Sequence, residues 1–336
     1  MNKERSFIRK FIRNTAAGFL FAASFLGTAF AQAFPTKPVT LMVPYPAGGL
    51  SDVIARTVNA PLGKALAQPV LVDNLGGASG SIAAQKVLNA PADGYLLFQG
   101  SPNELIFAPL AISSVKYKPE DFRQIHRVGM APMAIMARAD LPANNADELV
   151  AYAIKAAKEG KSMTYASVGI GSFYHLLGEQ MSKVIGVPML HVPYKGAADV
   201  VKDMLGGQVD IFMSPYGAPQ VELAKSGKIK FIAALSPERG PLMPQLPSTT
   251  ESKALKAFTA EIGTGYFVKR DTPEAVVQTL HKAIQTTMAD TEFKARIVAL
   301  GQEMSPLQSL DAASKAFADE TAQYRAIAKS INLQPQ

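Results

Sequence analysis

The chain has 336 residues, of which 48% are hydrophobic, and a formal net charge of +7. This length provides for a large buried core and favours two lobes over one. Five Lys or Arg residues and one Glu lie within residues 1–33, so the remaining 303 residues (336 − 33) carry only +3 (7 − 4). No stripe of Lys and Arg interleaved with aromatic residues accompanies that charge, so no nucleic-acid partner is expected.

The first 33 residues have the pattern of a secretory signal. A basic head, with Lys3 and Arg13 at its ends, precedes the apolar run 16–30, which is short for a membrane span. Small residues then provide a cleavage site, which we place after Ala33. An uncleaved membrane anchor is the alternative, disfavoured because polar sequence follows at once. The pattern predicts export to the periplasm.

Metal and disulfide chemistry are not expected. The chain has no cysteine, which excludes disulfides, thiolate ligands and a lipidated cysteine after the signal. Its four histidines lie far apart in the sequence, with no HExxH or paired-carboxylate spacing. We therefore predict no metal site and no cofactor. These histidines are His126, His175, His191 and His281.

Strand-like and helix-like segments alternate from Phe34 onward. The runs PVTLMV, PVLVD and YLLFQG resemble strands, and helical patterns at 52–67 and 79–89 separate them. This order predicts an α/β fold with a mostly parallel sheet. Pro61 lies within the first helix and predicts a kink or a break near Asn59. The apolar face of that helix comprises Ile54, Val58, Leu62, Ala65 and Leu66.

The same alternation restarts near Met133 and predicts a second α/β lobe, with helices at 197–205 and 218–225 among its elements. The last part of the chain has helical patterns only, at 273–300 and 310–331, which should cover the first lobe. Two chain crossings, near Ile135 and Gly265, would join the lobes and leave a ligand cleft between them. The predicted lobes are 34–135 with 265–336 for lobe 1, and 136–264 for lobe 2.

Three glycine-rich turns, at 45–52, 75–81 and 168–172, connect strand ends to helix starts. Parallel sheets place such turns where α/β folds bind ligands, and helix N-termini favour anions. Nucleotide binding is disfavoured because GxxxxGK[ST] and a complete GxGxxG are absent. A nucleophile elbow is also disfavoured, because Ser81 stands where the GxSxG pattern requires glycine. What remains is binding of a small organic acid through backbone donors, hydroxyls and aromatic rings.

Four ordered segments resemble the periplasmic receptors of tripartite tricarboxylate transporters, the Bug-type proteins. They are VPYPAGGLSDVIAR, VDNLGGASGSIAAQKV with PADGYLLF, YASVGIGSFYHLLGEQ, and HVPYKGAADVVKDMLGGQVD. The resemblance extends over nearly the whole chain after residue 33. It implies a two-lobed periplasmic binding protein fold of type II-like form. It also implies a monomer that closes on a carboxylate ligand and delivers it to an integral-membrane permease, with no catalysis.

In that family the turn after the first strand and the glycine-serine turn of the second lobe hold a ligand carboxylate. Asp52 and Ser172 are equally well explained as helix caps.

Simple or aromatic mono- and dicarboxylates are the favoured ligands, ahead of amino acids. An exported hydrolase, or a sensor for a membrane kinase, stays open as an alternative. The candidate ligand-binding residues are Tyr45, Pro46, Ala47, Gly48, Gly49, Ser51, Asp52, Ser101, Ser167, Gly169, Gly171, Ser172, Phe173, His175 and Tyr194.

Overall fold

A computed structural model describes residues 34–240, 242–330 and 333–335. The predicted signal at 1–33 lies outside the described residues. The fold described is that of the compact unit from Lys37 to the C-terminus. No helix in the described part of the chain combines the length and apolar character that crossing a bilayer requires.

The first sheet has six strands in the order β11-β4-β10-β3-β1-β2. Strands β1, β2 and β3 run parallel, whereas β10 pairs antiparallel with both β3 and β4. The carboxyl ends of β1 and β3 therefore lie side by side at one edge of the sheet. The strands are β1 (Val39–Val43), β2 (Val70–Asn74), β3 (Leu96–Gly100), β4 (Phe122–Ala131), β10 (Ile262–Lys269) and β11 (Glu303–Met304).

The second sheet has five strands in the order β7-β6-β8-β5-β9. Strand β6 runs parallel to β7 and β8, and β5 runs antiparallel to β8 and β9. Here lobe 1 denotes the six-stranded sheet with its helices, and lobe 2 the five-stranded sheet with its helices. The strands of lobe 2 are β5 (Met133–Arg138), β6 (Thr164–Ser167), β7 (Leu190–Pro193), β8 (Ile211–Pro215) and β9 (Ile229–Ala234).

Ten α-helices among the described residues cover the two sheets. In lobe 1 they are α1 (Leu50–Leu66), α2 (Ser81–Asn89), α3 (Ala108–Ala111), α8 (Glu274–Ala289), α9 (Thr291–Ala299) and α10 (Leu310–Ser330). In lobe 2 they are α4 (Ala146–Lys158), α5 (Phe173–Ile185), α6 (Ala197–Leu205) and α7 (Ala218–Lys225). One turn of π-helix, Asn103–Phe107, follows β3. Helix α8 packs on α1, and α10 packs on β4, so both of these C-terminal helices lie on lobe 1.

The chain changes sheet between Ala131 and Met133, and again before Ile262. The predicted lobe boundaries lie after residues 135 and 264. Each is three residues further along the chain than the point where the chain changes sheet in the structure. Backbone pairing explains the difference, because Ile135 pairs with Met213 in lobe 2 and Ile262 pairs with Ala131 in lobe 1.

The break predicted near Asn59 is wrong, because α1 continues through Pro61 to Leu66. Proline removes one helical hydrogen bond, but burial of apolar side chains on both sides of it holds the two halves on the sheet. The buried positions Ile54, Val58, Leu62 and Leu66 follow the predicted stripe, whereas Ala65 is exposed.

Candidate functional site

A cavity of about 80 Å³ lies between the two sheets, beside both chain crossings. Both lobes contribute to its wall, and neither encloses it alone. No Lys, Arg or His lies among its lining residues, and Glu104 is the one charged side chain there. Lobe 1 contributes Tyr45, Pro46, Gly49, Leu50, Ser51, Ile54, Gln99, Gly100, Ser101, Glu104, Ala131, Ile262, Thr264 and Gln302. Lobe 2 contributes Val168, Tyr174, Ala197, Phe212, Ser214 and Pro215.

The turn from β1 to α1 forms one side of the cavity. Gly48 has a φ of 89°, in the left-handed region that favours glycine, and its N–H donates to Asp52 Oδ2 at 3.0 Å. Arg56 Nε donates to both oxygens of the same carboxylate at 3.0 Å. Burial alone would raise the pKa of Asp52, but hydrogen bonds from Arg56 and Gly48 outweigh it and hold the pKa below its usual value. Asp52 therefore stabilises the turn and lies outside the cavity lining.

Two helices from opposite lobes begin at the cavity without a side-chain cap. Gly49 precedes α1 and Gly196 precedes α6, and neither helix has a side-chain cap at that position. The first amides of a helix have no intrahelical partner and carry the positive end of the helix dipole. Leu50 and Ser51 from α1, and Ala197 from α6, line the cavity. This arrangement suits the carboxylate of a small ligand.

Glu104 lines the cavity, and its side chain is fully buried. Tyr45 donates its hydroxyl to Glu104 Oε2 at 2.9 Å, and Ser101 donates its hydroxyl to the same oxygen at 3.0 Å. The Ser101 N–H donates to Glu104 Oε1. Burial raises the pKa of Glu104 to about 7, against the hydrogen bonds from Tyr45 and Ser101, which lower it. No ion pair to Glu104 occurs within the described ranges.

Two buried amide side chains in the wall have an atom without a hydrogen-bond partner. Gln99 donates from Nε2 to the carbonyl oxygen of Ser51 at 2.7 Å and to its hydroxyl at 2.9 Å. These bonds fix the amide orientation and leave Gln99 Oε1 without a partner among the described residues. Gln302 Nε2 is likewise unpartnered in the described part of the chain. Buried polar atoms normally have partners, so a ligand or water is expected beside both.

The predicted site residues divide into two groups. Those that line the cavity are Tyr45, Pro46, Gly49, Ser51 and Ser101. Those that lie elsewhere are Ala47, Gly48, Asp52, Ser167, Gly169, Gly171, Ser172, Phe173, His175 and Tyr194. Six polar or aromatic residues of the lining were not among the candidates chosen from the sequence: Gln99, Glu104, Tyr174, Ser214, Thr264 and Gln302. The sequence did contain a signal for Glu104, because a single carboxylate begins the otherwise apolar run ELIFAPLA, which follows soon after β3.

The second-lobe turn 168–172 packs against lobe 1. Ser79 donates its hydroxyl to the Ile170 carbonyl oxygen at 2.7 Å, and a Cβ at Gly169 would lie 2.7 Å from Ser79 Oγ. The Phe173 N–H donates to Asn103 Oδ1 at 2.6 Å, and Asn103 Nδ2 donates to the Tyr45 hydroxyl at 3.0 Å. Direct hydrogen bonds therefore join the lobes on both sides of this turn, and the cleft is closed around the cavity.

Three aromatic rings stack beneath the second-lobe turn. The His191 ring lies 4.1 Å from that of His175 and 5.0 Å from that of Tyr165, measured between centroids. The Ser167 hydroxyl lies 2.6 Å from His191 Nε2 and 3.0 Å from the Gly169 carbonyl oxygen. This serine-histidine contact is outside the cavity lining, so it does not meet the geometry of a nucleophile facing a bound substrate.

The stack predicts a pH dependence of stability. Burial, and secondarily the charge of His175, lowers the pKa of His191 to about 4, whereas an unfolded histidine titrates near 6.5. As pH falls from about 6.5 to about 4 the unfolded chain binds the extra proton, so the free energy of unfolding decreases. Relative to His191→Phe, which retains a stacking ring, the wild type should lose up to about 1.4 kcal/mol per pH unit in that range.

Urea unfolding of both proteins between pH 7 and pH 4 measures this difference. Glu104, whose raised pKa gives the opposite dependence, is present in both proteins and cancels in the comparison. If the free energy of unfolding changes with pH in the same way for both proteins, His191 is not the source of the pH dependence.

No group of three or more His, Asp or Glu suited to a metal ion occurs in the residues that the structure describes. The cavity lining also contains no such group. The prediction of no metal and no cofactor therefore stays an expectation, and the cavity itself is suited to a small organic molecule.

The sequence and the fold of this chain are similar to those of a group of transport receptors. Residues 54–333 match the model of the tripartite tricarboxylate transporter family receptor. The chain is similar to the periplasmic binding protein BugD, with 33% identity, a TM-score of 0.83, and coverage of 90% of this chain and 100% of BugD.

Two further solved structures from Rhodopseudomonas palustris are similar. MatC, solved with malate, has 26% identity and a TM-score of 0.79, with 88% of this chain and 99% of MatC covered. The protein Rpa4515, solved with adipate, has 27% identity and a TM-score of 0.82, with 90% of this chain and 100% of that protein covered. The predicted two-lobed α/β fold is confirmed.

Proposed function

Because the chain belongs to the tripartite tricarboxylate transporter receptor family, we propose that it is a periplasmic receptor for a small organic carboxylate. In this proposal the two lobes close on the ligand, and the closed receptor, a monomer, delivers it to the integral-membrane permease of the transporter. The protein performs no chemistry on the ligand. Similarity to receptors solved with malate and adipate supports the carboxylate class.

The observation that carries the proposal is the closed cavity between two uncapped helix N-termini. Leu50 and Ser51 approach from lobe 1 and Ala197 from lobe 2, so a carboxylate held there contacts both lobes. Such a ligand stabilises the closed form by its contacts to both sides. Micromolar affinity requires about 8 kcal/mol. A few hydrogen bonds to a charged group, at about 1.5–3 kcal/mol each, together with buried carbon surface are sufficient.

Thermal unfolding in the presence of a ligand panel tests this proposal. The full sequence is expressed, and the protein is purified from the periplasmic fraction. The panel contains aliphatic and aromatic mono- and dicarboxylates and amino acids, each paired with its uncharged amide as a control. An acid at about 100 times its dissociation constant should add about 2.7 kcal/mol of stability and raise the midpoint by several degrees.

The bound acid is then recovered and identified by mass spectrometry, and it should be unchanged. Conversion of the acid into another compound would identify an enzyme. Failure of every carboxylate to raise the midpoint, or an equal effect of its amide, would contradict the carboxylate receptor.

A further inference from the structure

The wall of the cavity between the lobes contains one carboxyl group and no cation beside it. Glu104 lines the cavity, its side chain is fully buried, and the lining includes no Lys, Arg or His. The carboxylate is held instead by hydrogen bonds from the hydroxyls of Tyr45 and Ser101 and from the Ser101 N–H. Burial raises the pKa of Glu104 to about 7, so its protonated and ionised forms are both populated near neutral pH.

The other titratable groups on elements packed against the π-turn do not change charge near neutral pH. Charged side chains of the adjoining helices are paired away from Glu104: Lys86 of α2 with Asp73 at 2.8 Å, and Glu320 of α10 with Arg127 at 2.7 Å. The remaining groups are tyrosines, and burial raises the pKa of each above its usual value. From the turn before α1, the segment before β4, α5 and α10, they are Tyr45, Tyr117, Tyr174 and Tyr324.

Protonation of Glu104 changes which hydrogen-bond donors face the cavity. In the ionised form, Tyr45 and Ser101 direct their hydroxyl protons at Glu104 Oε2, at 2.9 and 3.0 Å, so neither proton is available to a ligand. Asn103 positions both hydroxyls, because its Nδ2 donates to the Tyr45 oxygen at 3.0 Å and its N–H donates to the Ser101 oxygen at 3.3 Å.

A protonated Glu104 donates its own O–H to one of these hydroxyls. A hydroxyl oxygen has two lone pairs, so it accepts this bond as well as the bond from Asn103. Its proton is then released from Glu104 and becomes available to a group in the cavity, which Tyr45 and Ser101 both line. One proton on Glu104 therefore removes a negative charge from the wall and adds a donor to it.

Both changes favour a bound carboxylate. A carboxylate in a cavity of about 80 Å³ lies close to Glu104, and two like charges in an enclosed site disfavour each other's ionisation. Ionised Glu104 repels such a ligand, and it occupies the hydroxyl protons that the ligand requires. The protonated carboxyl group is neutral and leaves one of those protons free.

Resting on the proposed receptor function, we infer that Glu104 is a proton-binding site coupled to the ligand, and that it takes up a proton from solvent when a carboxylate binds. The proton forms the O–H bond of Glu104, and no other covalent bond forms or breaks. The closed receptor then holds the carboxylate and the proton together. Binding of a monocarboxylate leaves one negative charge in the cavity rather than two.

Calorimetric titration with malate, adipate, phenylacetate and every panel acid that stabilises the protein tests the inference. Each titration is made from pH 6 to pH 9 in two buffers of different ionisation enthalpy, which gives the number of protons taken up. Free carboxyl groups titrate mainly below pH 6, so changes above it report on the protein. Uptake should approach one proton at pH 8–9 and be close to zero at pH 6, and the uncharged amides should take up none.

The affinity should change with the same group. Only the protonated fraction of the receptor binds well, so the dissociation constant should rise about tenfold from pH 6 to pH 8 and about tenfold again by pH 9. Glu104→Gln is neutral at every pH and keeps a donor in its amide. Its dissociation constant should stay within about twofold of the wild-type value at pH 6 over the whole range, without proton uptake.

Glu292→Gln is the matched control, because its side chain is 75% exposed on α9 in the same lobe. This variant should keep the wild-type proton uptake and pH dependence. If Glu104→Gln does not fold, the wild-type proton count decides alone: uptake that rises through pH 7 supports the inference, and none at pH 8 overturns it.

The possible failures are distinguishable. Binding of a carboxylate without proton uptake at pH 8, or with the same affinity at pH 6 and pH 9, would contradict the inference and leave the receptor function intact. Equal uptake in wild type and folded Glu104→Gln would place the proton on another group and also contradict it. If no acid binds even at pH 6, where Glu104 is mainly protonated, both the inference and the proposed function are wrong.

Discussion

Substitution of Gly178 by alanine should lower the free energy of unfolding by about 1–2 kcal/mol, although alanine is the better helix former. Gly178 lies in α5, and a Cβ there would be 1.9 Å from Cε2 of Tyr165 and 2.3 Å from Cδ2 and Cζ. Overpacking of a core costs about 1–3 kcal/mol, and the upper part of this range is expected here because the Cβ would approach to 1.9 Å. The gain in helix propensity over glycine is only about 1 kcal/mol.

The Tyr165 ring is held on several sides and cannot simply move away. It is fully buried, it stacks on His191, and its hydroxyl donates to Glu179 at 2.5 Å. Any displacement of the ring therefore disturbs the stack beneath the second-lobe turn. The clash should consequently be expressed as lost stability rather than as a small local shift.

Chemical denaturation of the two proteins at pH 7 measures the effect. Gly206→Ala is the matched control, because a Cβ there would meet its nearest neighbour, Asp203 O, at an ordinary 3.6 Å. This control should change stability by less than about 0.5 kcal/mol. Gly178→Ala should cost less in a Tyr165→Leu background, since contacting residues are not additive. A wild-type stability for Gly178→Ala would mean that the α5–β6 contact is looser than described.

The regular part of the fold could be predicted from the sequence because its signals are local. The helices predicted at 197–205 and 218–225 occur with those bounds as α6 and α7. Strand β4 was missed because Arg123, Gln124, His126 and Arg127 interrupt its apolar pattern. Pairing with β10 on one side and β11 on the other makes it a strand, and that pairing is not visible along the chain.

One predicted helix, at 273–300, is divided into α8 and α9 in the structure. The Asp290 side chain accepts a hydrogen bond from the Phe293 N–H at 2.7 Å and caps the new helix. Aspartate is a strong N-cap residue, so the signal was present, but the continuous apolar pattern outweighed it.

The candidate site was only partly predictable for a similar reason. The turn at 45–52 was selected because a strand end, glycines and a helix start follow each other in sequence. Gln99 and Glu104 reach the same cavity only because β3 pairs with β1, which brings their carboxyl ends together. The glycines at 169 and 171 show a further ambiguity. Glycine permits close approach, but the sequence does not say whether a ligand or, as here, Ser79 and Ala111 come close.

Substitution of Gly196 by alanine should weaken binding of the panel acid that stabilises the wild type most by about five- to 150-fold, while leaving the ligand-free protein stable. Gly196 has an extended φ of −176°, which any residue adopts, so alanine causes no backbone strain. Its Cβ would lie 2.7 Å from Cδ of Pro46 in lobe 1. The clash therefore exists only when the lobes are closed.

Pro46 is also in close contact with its own lobe, which limits its movement away from Gly196. A Cβ at Gly76 would also lie 2.7 Å from the same Cδ, so the Pro46 ring fills the space between two glycines from opposite lobes. Relief of the contact requires the lobes to separate, which opens the cavity between Leu50 and Ala197. A cost of about 1–3 kcal/mol to the closed state alone corresponds to a five- to 150-fold loss of affinity.

Calorimetric titration measures the affinity, and small-angle scattering of the ligand-saturated protein measures closure directly. Gly196→Ala should show a larger radius of gyration than the saturated wild type, and Gly206→Ala, at the other end of α6, should match the wild type in both measurements. Urea unfolding without ligand should give the same free energy for all three proteins within about 0.5 kcal/mol. Undiminished affinity in Gly196→Ala would mean that the ligand binds without the Pro46–Gly196 contact, and closure would then have to be measured at the lobe-to-lobe hydrogen bonds, which join Ser79 to Ile170 and Asn103 to Phe173.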